Sequence, residues 1–185
     1  MSASCNDMPV LLVDTREQRP LQFSHFPAES ATLYTGDYSV KGLEEYFTVE
    51  RKSLADLAGS LTRERDRFMH EMHRMRGYPS AYLLAIGDNT ELSRLEAQGR
   101  LKLRQVEHSL RAIQCRYGVH VERVYTEEQA ARLVETWAFC AWREAMKPAG
   151  VSMPFPDWAV GMLCPRYNQP VTAGQVISDT ERGLV

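Results

Sequence analysis

The sequence predicts an α/β fold, with a central mixed β-sheet flanked by helices. Three observations carry that reading. Short unbroken apolar runs at 10–13 (VLLV) and 81–86 (AYLLAI) suit strands buried on both faces. Longer stretches repeat apolar residues at three- and four-residue spacing, as amphipathic helices do. In chain order these elements read strand, strand, strand, helix, strand, helix, strand, helix, which suits helices layered on a mixed sheet.

The bulk numbers allow one domain with a good core. The chain has 185 residues, 44% of them hydrophobic and 25% charged, as in ordinary soluble domains. No apolar run approaches a membrane span, and the N-terminus lacks the basic-then-apolar pattern of a signal peptide. The expected setting is intracellular, cytoplasmic in a bacterial or phage-infected cell and nuclear in a eukaryote. The net charge of −2 and pI near 6.2 weigh against a generally basic nucleic-acid binder but leave room for a local basic face. Cys5, Cys115, Cys140 and Cys164 are scattered with no C-x-x-C pair, so they read as reduced thiols rather than a zinc site.

In order, residues 1–9 form an N-terminal extension. The first strand, 10–13, ends on Asp14, followed by Thr15, Arg16 and Glu17. Polar groups just past a strand's carboxyl end are where open α/β sheets bind ligands. A turn residue bonded to its own backbone is the equally good alternative for Asp14. Residues 21–30 read as a loop tucked down by Phe23, Phe26 and Pro27. Residues 31–35 read as a second strand ended by Gly36-Asp37, and 38–45 as a hairpin connection turning at Lys41-Gly42. Residues 47–52 (FTVERK) return beside it.

Strand alternation puts Phe47 and Val49 on one face and Thr48, Glu50 and Lys52 on the other. An acid and a lysine two apart on one strand face are what a metal-dependent phosphodiesterase requires. The carboxylate can hold a divalent cation and the ammonium can reach water or phosphate. The hairpin brings Asp37 near Glu50. Ser53 then caps a helix, with Asp56 three residues on in a near capping box; Asp56 reads as helix-start carboxylate first and site residue second.

A long helix is expected over 61–75, with Leu61, Phe68, Met72 and Met75 on its apolar stripe. Arg63, Arg67, His70 and Arg74 fall on a second stripe. From Arg51 to Arg76 there are seven Lys/Arg against four Asp/Glu, a local net of +3. Such a face can grip phosphates; a solvated face with i,i+4 pairs is the plainer alternative. Arg67 is the strongest phosphate candidate. His70 and His73 read as surface. Helices are further expected near 90–98 and over 101–117, where Lys102, Arg104, Arg111 and Arg116 offer a second basic surface. A strand is expected over 119–124. Thr126 with Gln129 caps a last helix to about Met146. That helix carries one stripe of Ala130, Leu133, Val134, Trp137 and Ala141 and another of Phe139, Trp142 and Met146. One face is expected against the sheet. The other is expected against a second subunit, or against the chain's own tail. Residues 147–185 hold five of the nine prolines and read as an arm that packs on something.

Gly36-Asp37, then Glu50-Arg51-Lys52, three residues and Asp56, together with Val13-Asp14-Thr15-Arg16-Glu17, resemble the XPF-type (ERCC4-domain) nuclease domain. That domain is a branch of the restriction-endonuclease-like PD-(D/E)XK superfamily. Every fixed position of its G-D…E-R-K-x3-D pattern is present. The resemblance covers 10–146 and implies a restriction-endonuclease-like sheet and a DNA endonuclease. It implies Mg²⁺ or Mn²⁺ held by Asp37 and Glu50 with the Arg51 carbonyl, and Asp14 assisting directly or through water. It gives Lys52 the attacking water, and a pKa lowered by the nearby ion. Arg16, Arg51 and Arg67 would hold backbone phosphates or brace the carboxylates, Glu17 and Asp56 would support the site, and Arg63, Arg67 and Arg74 on the basic stripe would hold DNA. The implied substrate is branched or junction DNA, in recombination, repair or phage DNA processing, with a homodimer formed through the 126–146 helix. The family's usual helix-hairpin-helix module is not found in 147–185, where a protein partner is an alternative. A non-catalytic DNA-binding scaffold, a restriction-type enzyme and a single-strand exonuclease are the competing functions.

Overall fold

The computed structural model describes residues 8–99 and 102–147. Eleven elements follow in chain order within them: β1 (Leu11–Asp14), β2 (Ala28–Ala31), β3 (Tyr38–Val40), β4 (Phe47–Ser53), α1 (Leu54–Ser60), α2 (Arg65–Met75), β5 (Ser80–Ile86), α3 (Asn89–Ala97), α4 (Leu103–Tyr117), β6 (His120–Val124) and α5 (Glu127–Met146). The strands form one mixed sheet in the order β2-β1-β3-β4-β5-β6. β3 runs antiparallel to both β1 and β4, while β1–β2, β4–β5 and β5–β6 pair in parallel.

The two central runs are strands, as their continuous apolarity predicts. Leu83 and Leu84 on adjacent positions of β5 are both fully buried, so both sheet faces are covered. Ala81, Leu83 and Ala85 point into a core shared with Leu57, Phe68, Met72, Leu92 and Ile113 of α1 to α4. Tyr82 points the other way and stacks on Trp137 of α5, with ring centroids 4.2 Å apart. Among the described residues no helix is long and apolar enough to cross a membrane.

Three expectations need correction. The second strand is Ala28–Ala31, not 31–35, because the Leu11 N–H reaches the Pro27 carbonyl and parallel pairing starts there. The strand antiparallel to β4 is Tyr38–Val40, a stretch expected to be connection; Tyr38 pairs with Val49. The helix capped by Ser53 is present as α1, but the long helix expected over 61–75 starts only at Arg65. Gly59 and Ser60 are weak helix formers, and the Thr62 hydroxyl donates to the Ala58 carbonyl at 2.7 Å, so the chain turns over 61–64 before α2 begins. Arg63 thereby leaves the stripe it was expected to share with Arg67.

The last helix finds its second partner surface partly within the chain. Phe26 of the 21–27 loop stacks on Phe139 at 6.3 Å. Fully buried Glu135 accepts the backbone N–H groups of Ser24, His25 and Phe26 at 2.9, 2.6 and 3.2 Å, and meets His25 Nδ1 at 2.8 Å. The expected 147–185 arm lies outside the described residues, except Lys147.

Candidate active site

β4 organises the site. Its pleat puts Phe47 beside Tyr82 on the α5 side, and Glu50 and Lys52 on the side of α1 and α2. Lys52 Nζ donates to Glu50 Oε1 at 2.8 Å and lies 5.2 Å from the Phe68 ring centre of α2. Asp37 enters where β3 begins. Its N–H donates to the Val49 carbonyl, its carbonyl accepts from the Asp14 N–H, and its carboxylate accepts the Arg51 N–H at 2.7 Å. Gly36 is what allows that approach. Its φ is +78°, and a Cβ there would stand 2.2 Å from the Thr48 hydroxyl.

Asp37, Glu50 and Lys52 face one cleft of about 210 Å³, whose walls include Arg16, Arg67 and Arg74. Glu50 is 5% exposed. Burial, then the neighbouring Asp37 carboxylate, pushes Glu50 up to about 8. Burial pushes Asp37 up to about 6, against the pull of the Arg51 N–H. For Lys52 burial is the largest influence and acts downward, but the Glu50, Glu71 and Asp37 carboxylates together outweigh it and the net shift is upward. The lowered Lys52 value expected near a divalent ion is thus not what the protein's own groups produce.

Asp14 is nearby but differently engaged. Both of its oxygens are taken, by the Arg16 side chain at 2.6 and 3.0 Å, the Arg16 N–H at 2.8 Å and the Leu33 N–H at 2.7 Å. The Arg16 guanidinium holds the Asp14 carboxyl below the usual carboxylate range. Glu17 meets Arg51 at 3.5 Å, and Arg51 also reaches Glu127 of α5 at 3.1 Å. Arg51 therefore ties β4 to α5 and the 15–20 turn. Its side chain is committed there rather than to a phosphate. Asp56 accepts from the Ser53 hydroxyl at 2.7 Å, while its N–H donates back to the same oxygen. The helix-cap reading of Asp56 is the one its contacts match.

Arg67 lies on the cleft rim, 87% exposed, with Glu64 at 3.7 Å; Arg74 lines the same cleft. Arg63 lines an adjoining groove that Asp37, Glu50 and Lys52 also border. Sequence reasoning missed Glu71, which lines the cleft and raises both carboxylates. Its signal was its place one turn after Arg67 on the face that carries Phe68. The second basic surface divides: Lys102 and Arg104 share a cleft with Arg65, and Arg111 lines another with Arg123.

Two carboxylates forced together, short of donors and open to a cleft, fit a hard divalent cation such as Mg²⁺, which takes one or two carboxylates and keeps its waters. Among the described residues no three His, Cys, Asp or Glu side chains converge in a metal-binding group.

A mixed sheet with this acid pair and lysine at a cleft defines a restriction-endonuclease-like α/β domain. A model of the ERCC4 domain matches residues 13–136, and the chain belongs to that family of XPF-type nuclease domains. Among solved structures it is similar to XPF from Aeropyrum pernix, with 21% identity, a TM-score of 0.56, and 80% of this chain matched to 67% of that one. It is also similar to XPF from Aeropyrum pernix in complex with DNA, with 23% identity, a TM-score of 0.57, and 76% matched to 66%. The chain thus spans about two thirds of those proteins, and at this identity the likeness concerns the fold. A comparison with curated proteins gives no match.

Proposed function

We propose that this chain is a divalent-metal-dependent DNA endonuclease that hydrolyses phosphodiesters at branched or single-strand/duplex junction DNA. The carrying observation is the placement of Glu50 and Lys52 on one face of β4, with Asp37 held against them by the Arg51 N–H. Asp37 and Glu50 would hold Mg²⁺ or Mn²⁺, which supplies charge neutralisation at the phosphate and a more acidic water. Lys52 would orient the attacking water and counter phosphate charge. Arg16, fixed by Asp14, and Arg67 and Arg74 on the rim would hold flanking phosphates. Recombination, repair or phage DNA processing is the proposed setting, inside the cell. A homodimer through α5 stays part of the reading, although Phe26 already covers Phe139 within one chain.

The test uses labelled single-stranded, duplex, splayed-arm and flap DNA with Mg²⁺, Mn²⁺ or EDTA. Wild type is compared with Lys52→Ala and Asp37→Ala. Metal-dependent cutting lost in both variants is expected. Cutting that survives EDTA, or survives both substitutions, sinks the mechanism. Binding without cutting of any substrate favours a scaffold. Sedimentation at micromolar concentration tests the dimer, and a monomer there removes it.

A further inference from the structure

We infer that Tyr34 is a specificity-determining residue that stacks on an unpaired nucleobase beside the phosphate to be cut; this rests on the nuclease reading above. Tyr34 is 80% exposed, more than either other large exposed hydrophobic among the described residues, Met8 at 42% and Tyr125 at 50%. Its position is what gives the exposure meaning. It lines the same cleft as Asp37, Glu50 and Lys52, two residues before Gly36.

The ring stands on pinned backbone. On one side the Leu33 N–H donates to Asp14 at 2.7 Å, and the Leu33 carbonyl accepts from Arg16 at 2.9 Å. On the other the Thr35 carbonyl accepts from the Thr48 hydroxyl at 3.0 Å. Leu33 and Thr35 are buried on either side, while the Tyr34 ring faces solvent. An aromatic held outward on fixed backbone loses little freedom on meeting a flat partner. The cleft walls add Arg16, Arg67 and Arg74. Aromatic faces beside cations are how proteins grip single strands, the cations tracking phosphates and the ring stacking on a base.

In continuous duplex each base is already stacked on both sides and offers no free face. A base that has left the stack, at a splayed arm, a flap or a single strand, offers one. Tyr34 would therefore favour DNA with an unpaired nucleotide at the cleft. Stacking needs the ring and not the hydroxyl.

The test is binding in EDTA by the full chain, read by anisotropy on a splayed-arm DNA and on a fully paired duplex of the same length. Tyr34→Ala is expected to weaken splayed-arm binding about 10-fold and leave duplex binding unchanged, as stacking on a free base allows. Tyr34→Phe is expected to match wild type. An abasic nucleotide in the unpaired arm is expected to erase the difference between wild type and Tyr34→Ala. Equal loss on both DNAs, no loss on either, or a Tyr34→Phe defect as large as that of Tyr34→Ala overturns the stacking role while leaving the nuclease reading standing. A wild-type chain that binds neither DNA overturns both.

Discussion

Two carboxylates of this molecule are almost wholly buried and have opposite fates. Glu135 sits on α5 under the 21–27 loop, 0% exposed, with three backbone N–H groups and the His25 ring around it. Glu50 sits on β4 with the Lys52 ammonium donating to it at 2.8 Å and the Asp37 carboxylate raising it further. A buried charge saturated with donors holds a fold together; one left short of donors beside a second acid is unstable until something positive arrives. Asp14, with both oxygens occupied, belongs with Glu135 in this respect, although it borders the cleft. The difference separates structural acids from those that can receive a cation.

The largest effect that tests this contrast comes from Asp37→Asn. The amide oxygen can still accept the Arg51 N–H, so the loop keeps its anchor. Cleavage should fall on the order of 10³-fold, the scale at stake when one group of a catalytic constellation is lost. Folding stability should move the other way, rising by about 1 kcal/mol at neutral pH in EDTA, because a repulsive neighbour of Glu50 has gone. Cleavage rates and urea unfolding on the same preparation check both. A variant less stable than wild type would place Asp37 among the structural acids.

Glu135→Ala should do the reverse. It strands three N–H groups under the loop and should cost about 3 kcal/mol or more by urea unfolding. Any chain that still folds should keep its cleavage rate per folded molecule. An unchanged unfolding midpoint would dissolve the comparison from the Glu135 side.

The β4 half of this contrast was readable in sequence and the α5 half was not. Alternation alone assigns Glu50 and Lys52 to one strand face, because a two-residue period leaves no freedom. Asp37 was legible as a neighbour but from the wrong strand. The three residues Tyr38–Val40 are too short to show a period, and pairing with β1 and β4 decides them. The turn at 61–64 was hidden because the apolar stripe from Leu61 to Met75 continues across it, while Gly59, Ser60 and Thr62 break the backbone. Glu135 reads in sequence as one more acid on a helix. Its partners lie over 100 residues away, and nothing local announces them. The same holds for Asp14, whose choice between turn and ligand needed the Leu33 N–H to be seen.

A smaller effect lies in the pH dependence. Both Asp37 and Glu50 have folded values raised above the ordinary value near 4, to about 6 and about 8. Across that window the folded state binds more protons than the unfolded chain, so their contribution is fully present below about pH 4 and is lost as pH rises through the folded values. In EDTA, wild type should lose stability relative to Asp37→Asn between pH 4 and 8, by about 1–2 kcal/mol. Millimolar Mg²⁺ should narrow the gap at pH 8, since a ligand that prefers the folded state stabilises it. A gap independent of pH would deny the coupling between the two acids.

The smallest effect is expected where charge is fully in water. Arg67 is 87% exposed, and its contact with Glu64, at 3.7 Å, is too long and too solvated to contribute much. Arg67→Ala should change folding stability by less than about 0.5 kcal/mol. Its effect should appear only with nucleic acid. Binding should weaken a few-fold, and the slope of log affinity against log salt should fall by about 1, the signature of one lost phosphate contact. Because Arg67 stands on the same cleft wall as Arg74, the loss should be similar for paired and unpaired DNA. That uniformity is what separates a rim cation from Tyr34, whose loss is confined to unpaired strands. An unchanged salt slope would return Arg67 to the solvated face of α2 and leave Arg16 and Arg74 to hold the backbone.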